Sequence, residues 1–214
     1  MRSRRGAFRL VVVVLVAGAA LLVWRYGTVA AFHFLPLGWT GEADRLAAVL
    51  RIGPGSRVAD IGAGDGRFAL EMARRVGASG RVYATEIAER QREVIRRRAA
   101  DAGLPQLEVV TAGEHATGLR EACCDAVFMR NVLHHIDDWP GYASRASAAL
   151  RPGGFFAVID FSPGAFLHLA GDHGARPDDV VTAFSRAGYT VVERVDDWGG
   201  DLYLVLFRYS PGQR

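Results

Sequence analysis

The sequence predicts a doubly wound α/β domain. Its sheet is mostly parallel and seven-stranded, ends in a C-terminal antiparallel hairpin, and is preceded by an N-terminal hydrophobic helix. Three observations predict it. First, Arg57–Phe68 reads as a buried strand, a tight glycine turn and the first turn of a helix. Second, short apolar runs alternate with amphipathic helical patterns through most of the chain, as parallel strands joined by crossover helices require. Third, Tyr189–Val195 and Leu202–Tyr209 read as strands joined only through Asp196–Asp201, too short a link for a crossover, so this pair is antiparallel.

The N-terminal segment has a composition of its own. Arg2, Arg4, Arg5 and Arg9 lead into Leu10–Trp24, which carries no charge. Arg25-Tyr26-Gly27 interrupts, and Val29–Trp39 is apolar again apart from His33. A membrane span needs about 20 apolar residues, which one tilted helix over Phe8–Phe34 supplies if Arg25 snorkels. We therefore expect residues 1–39 to be a membrane anchor, and residues 40–214 a separate domain. A cleaved signal peptide, with Thr28-Val29-Ala30 at its end, and a buried core helix are the alternatives. Arginines before the apolar run would leave the N-terminus inside and export the domain. We expect instead a domain held at the cytoplasmic face.

The net charge of +3 misleads. Residues 1–25 hold five arginines and no acid, so the rest of the chain has a net charge of −2. The basic pI belongs to the N-terminus, and the folded part gives no reason to expect nucleic acid. The two cysteines, Cys123 and Cys124, are adjacent, which excludes a disulfide framework and leaves packing or thiol chemistry.

Glu42–Leu50 is a short amphipathic helix that ends before Gly53-Pro54-Gly55. Val58, Ala59 and Ile61 suit a strand covered on both faces. Gly62, Gly64 and Gly66 let backbone approach a ligand, and Phe68, Met72 and Val76 recur at helical spacing behind them. The dinucleotide pattern G-x-G-x-x-G would place its third glycine where Arg67 stands. Asp60 and Asp65 flank the turn, so a pyrophosphate is repelled and a cationic ligand favoured. D-I-G-A-G-D-G resembles the first motif of class I S-adenosylmethionine (SAM)-dependent methyltransferases. That family has a Rossmann-like fold, and its cofactor carries a sulfonium, an ammonium and no phosphate.

The resemblance extends over residues 40–209. Arg81–Thr85 is a second strand, with Glu86 at its end about 20 residues past the glycine turn, where the family holds the ribose hydroxyls. Ala88–Ala102 is a helix whose arginines form a solvated face or a contact for anionic lipid. Leu107–Thr111 is a third strand. Gly113-Glu114-His115 falls where the family contacts adenine, although Glu114 stands in place of the usual aspartate. Asp125–Arg130 is a fourth strand followed by Asn131, and N-V-L-H-H-I and L-R-P-G-G resemble later family motifs. Trp139–Leu150 is a helix, Phe155–Phe161 a fifth strand, and Ser162–Gly174 an irregular covering loop. Pro177-Asp178-Asp179 opens a last helix closed by Gly188.

Ligands of open α/β sheets bind outside the carboxyl ends of the strands. The expected cofactor site is therefore Asp60, Gly62, Gly64, Gly66, Glu86, Glu114 and Asn131, with SAM as cofactor and no metal. Candidate bases are His173, Asp160 and His135, in that order. The expected acceptor is a small or lipid-soluble molecule. A nucleotide-dependent oxidoreductase and a non-catalytic SAM-binding protein are the alternatives.

Overall fold

The computed structural model describes residues 14–25, 27–28, 36–163 and 174–210. A helix over 14–25 (α1) is followed by α2 (Pro36–Val49), β1 (Arg57–Ile61), α3 (Arg67–Val76), β2 (Arg81–Glu86), α4 (Glu89–Asp101) and β3 (Leu107–Thr111). The second half contains β4 (Cys124–Arg130), a 3₁₀ turn at Leu133–His135, α5 (Trp139–Ser147), β5 (Leu150–Phe161), α6 (Pro177–Arg186), β6 (Tyr189–Gly199) and β7 (Leu202–Tyr209).

The seven strands lie in the order β3-β2-β1-β4-β5-β7-β6. The pairs β1–β2, β1–β4, β2–β3 and β4–β5 are parallel, and β5–β7 and β6–β7 are antiparallel. The order reverses between β1 and β4, and crossovers diverge there to leave a crevice beyond the strand ends. Two apolar layers cover the sheet. One packs α2, α3 and α4 on Val58, Val82, Phe128 and Ile159; the other packs α5 and α6 on Val127, Met129, Phe156 and Tyr203.

Helix α3 shows how the sequence dictates this arrangement. Phe68, Ala69, Met72, Ala73 and Val76 are spaced to form one stripe, and all are buried. Burying Phe68 and Met72 contributes roughly 1.5–3 kcal/mol each. Gly66 caps the helix at φ 78°, where a Cβ would lie 2.8 Å from Ile95 Cγ1 of α4. Its lack of a side chain therefore serves helix–helix approach. Helix α5 starts where Asp138 Oδ1 accepts the Gly141 N–H at 2.9 Å, with Pro140 beside it in the first turn.

The membrane anchor expected at the N-terminus is corrected. Among the described residues no helix is long and apolar enough to cross a membrane. Twelve residues of helix α1, 14–25, are described. At about 1.5 Å per residue those twelve cover little more than half of a hydrocarbon core about 30 Å thick. Residues 1–13, part of that apolar run, lie outside the described residues.

Two element boundaries also differ from expectation. Helix α2 begins at Pro36 rather than Glu42. Strand β6 continues to Gly199 because Trp198, expected in a link, is buried and bonded to Glu42. The arginines of α4 meet carboxylates: Arg92 and Arg96 bond Glu89, and Arg98 Nη1 lies 2.9 Å from Asp65 Oδ2.

Candidate functional site

The crevice at the β1/β4 reversal gathers most of the predicted cofactor residues. A cleft of about 540 Å³ is lined by Gly62, Glu86, Glu114, Asn131 and His135, among others. A second hollow of about 230 Å³ adjoins it, sharing Gly62 and Asn131 and adding Asp60, Gly64 and Arg130. Gly66 packs on α4 instead, and His173 lies outside the described residues.

The glycine turn is shaped by close approach. Gly62 has φ 68°, and a Cβ there would lie 2.5 Å from Val132 Cγ2. Only glycine lets the β1 and β4 loops meet at this distance. Across the crevice, Glu86 ties the turn to β2. Its Oε2 accepts the Gly64 N–H at 2.9 Å, and its Oε1 accepts from Ile87 and Ala88 at 2.9 and 3.0 Å. The carboxylate thus stands at the rim with its plane fixed by three backbone donors.

Asp60 is 3% exposed at the end of β1. Burial pushes its carboxyl well above the usual range, against the opposing effects of an Ala69 backbone hydrogen bond and the Arg130 charge. Its Oδ2 is buried and has no hydrogen-bond partner among the described residues, and the same holds for Asn131 Oδ1. Buried acceptors normally find partners, so these two mark a place where donors are missing. Asn131 also adopts φ 56°, a left-handed conformation that asparagine tolerates better than most residues. Asp65 does not contribute the free negative charge expected of it. Burial raises its carboxyl, but bonds from Arg67 and Arg98 outweigh this and hold it below the usual range. The preference for a cation therefore rests on Asp60 and Glu86.

The floor of the smaller hollow is an ion pair that sequence reading missed. Arg130 Nε and Nη2 donate to Glu42 Oε1 and Oε2 at 2.8 and 2.9 Å. The Glu42 side chain is fully buried and also accepts the Trp198 indole N–H at 3.0 Å. The Arg130 guanidinium lies 4.9 Å from the Phe68 ring centroid. One bidentate contact thus joins α2, β4 and β6 beneath the crevice. No local signal could have found it, because the partners are 88 and 156 residues apart.

Asp160 is completely buried at the end of β5. Its Oδ1 lies 2.6 Å from His134 Nδ1, and its Oδ2 accepts the His134 backbone N–H at 3.1 Å. The His134 ring stands 4.0 Å from that of His135, which lines the larger cleft. The sequence singled out Asp160 and His135 as candidate bases. The structure makes His134 the link between them.

Residues 59–158 match the model of the methyltransferase domain family. Over that stretch the chain is similar to methyltransferase domains. The chain is 34% identical over 126 residues to the 27-O-demethylrifamycin SV methyltransferase of Amycolatopsis mediterranei, covering 57% of this chain and 44% of that protein. It is 30% identical over 128 residues to the 2-phytyl-1,4-naphtoquinone methyltransferase of Trichormus variabilis, covering 59% and 52%. The chain spans about half the length of the curated relatives it matches. The crystal structure of a SAM-dependent methyltransferase from Aquifex aeolicus superposes with a TM-score of 0.67 at 22% identity, covering 78% of this chain and 88% of that one. That likeness shows the fold. The family and fold imply SAM as the cofactor of the methyltransferase domain. The donor set fits it. Asp60 and Asn131 present unmatched acceptors, which an ammonium or a hydroxyl would satisfy.

Proposed function

We infer that this chain is a SAM-dependent methyltransferase acting on a small, lipophilic acceptor through a hydroxyl oxygen or an acidic carbon. The observation that carries the reading is the pair of buried, unmatched oxygens of Asp60 and Asn131 beside Glu86, at the point where strand order reverses. Curated relatives named for a rifamycin and for a naphthoquinone support the acceptor class. The glycine turn, Asp60, Glu86 and Asn131 hold the cofactor, and Gly113–His115 closes one side of its cleft. When bound, SAM supplies a methyl group on a sulfonium that is already a good leaving group.

The protein's part is placement and proton handling. Fixing the acceptor in line and excluding water accounts for up to about 7–11 kcal/mol of barrier reduction. An oxygen or carbon acceptor must also lose a proton. His135 stands at the cleft wall to take it. Asp160 orients His134 through Nδ1, and His134 in turn backs His135. Asp160 acts here as a positioning residue. Similarity to methyltransferase domains over residues 59–158 favours methyl transfer over the oxidoreductase alternative.

The test is transfer of labelled methyl from SAM into solvent-extractable and water-soluble fractions of the source cells. Label in an extractable small molecule is the expected result. SAM binding with label in neither fraction would leave a binding protein and refute transfer.

A further inference from the structure

The adjacent cysteines lie outside the site described above. Cys123 precedes β4 and Cys124 begins it, at the end of the strand opposite Arg130 and Asn131. Their sulfurs are 2.9 Å apart. Cys123 is 6% exposed and Cys124 is wholly buried. Both lie in the apolar layer under α5 and α6, yet charged groups surround them. Arg57 and Arg120 act on Cys123, Arg57 donates to the Tyr83 hydroxyl at 3.0 Å, and Asp125 is held by the Arg57 N–H and by Arg151 at 2.8 and 2.6 Å. Ala122, immediately before them, has φ 47° and donates its N–H to Ala148 O at 2.8 Å.

We propose that Cys123 and Cys124 form a redox-active dithiol that a hydroperoxide converts into a disulfide between adjacent residues. The two sulfurs have different parts. The hydrogen bond from Cys124 and the Arg57 and Arg120 charges lower the Cys123 thiol from its ordinary value, against the opposing effect of burial. The same bond and its own burial push Cys124 up, so it remains the thiol. Cys123 is the nucleophile and Cys124 the resolving group. The Cys123 thiolate attacks the peroxide oxygen, the O–O bond breaks, and a sulfenic acid forms as the displaced oxygen leaves as water or alcohol. Cys124 sulfur then displaces the sulfenic oxygen as water, and its proton goes with it. Two thiols are oxidised to one disulfide, and one peroxide is reduced.

The experiment treats the full chain with a small excess of hydrogen peroxide at neutral pH and reads intact mass and peptide maps. The expected product has lost two hydrogen atoms, retains no titratable thiol after unfolding, and contains both cysteines in one cross-linked peptide. Cys124→Ser should stop at a sulfenic acid trapped by dimedone. Cys123→Ser should react at least about tenfold more slowly, because the remaining Cys124 is wholly buried and stays the thiol. The wild-type mass reading does not depend on either variant folding. Retention of both thiols, a disulfide only between two molecules, or equal rates in the two variants would overturn the proposal.

Discussion

Truncating Glu42 to alanine should destabilise the domain by about 3–5 kcal/mol, because it removes the buried carboxylate that the Arg130 guanidinium grips with two hydrogen bonds. The magnitude follows from the geometry. The Glu42 side chain is 0% exposed and that of Arg130 14% exposed, so water can repair little of the loss. Both carboxylate oxygens are engaged by Arg130, and the Trp198 indole N–H loses its acceptor as well. For a domain of this size each kcal/mol moves the midpoint by about 2–4 °C, so Tm should fall by about 6–20 °C. Thermal unfolding followed by circular dichroism reads this directly. The double variant Glu42→Leu/Arg130→Met should recover most of the loss, because apolar replacement of a whole buried pair is often neutral. A Glu42→Ala protein melting within about 2 °C of wild type would refute the reasoning, as would a double variant worse than either single one.

Further outcomes follow from the same geometry. Asp60→Asn should raise the stability of the cofactor-free protein. Burial raises the folded-state pKa of Asp60 above its unfolded value, so wild-type stability from this group is full below about pH 4 and is lost as pH rises through the folded value. The Asp60→Asn variant should be spared that decline, and its Tm-against-pH curve should be flatter; an unchanged curve would contradict this. Gly62→Ala should cost about 1–3 kcal/mol in denaturant titration, since φ 68° and a 2.5 Å approach to Val132 Cγ2 both oppose a Cβ. Val132→Ala should relieve part of that cost, and no relief would mean that backbone strain alone dominates. His135→Ala and Asp160→Asn should each lower the rate of methyl transfer by about 10²–10⁴-fold or less while leaving SAM affinity within error. Loss of SAM binding in either would move those residues into the cofactor site.

Much of the fold was readable because parallel-sheet physics leaves a regular trace. Val58, Ala59 and Ile61 are apolar on both faces, and the glycine turn and the helical stripe of α3 follow immediately. The rim residues Asp60, Glu86 and Asn131 were found by the same logic, since each ends a strand that the pattern had already located. What escaped were contacts that only the folded sheet creates. Asp160 was visible as a strand-end carboxylate, but its partner His134 sits on a 3₁₀ turn after β4, and the β4–β5 register alone brings them together. Trp198 read as part of a polar link because its neighbours are Asp196, Asp197 and glycines; its burial depends on Glu42, far away in sequence. Asp65 was misjudged for a related reason. Its charge is matched by Arg98 of the next helix, which a local reading cannot place. The apolar N-terminus led to an expected span, whereas among the described residues no helix is long and apolar enough to cross a membrane.

The claim beneath all of this is that the crevice at the β1/β4 reversal holds SAM on Asp60, Glu86 and the glycine turn. Isothermal titration of the purified chain with SAM tests it most directly. The account predicts one site per chain, with binding weakened at least tenfold by Glu86→Ala, a loss of about 1.4 kcal/mol. Absence of binding heat together with an unshifted Tm at saturating SAM, or Glu86→Ala binding as tightly as wild type, would contradict it.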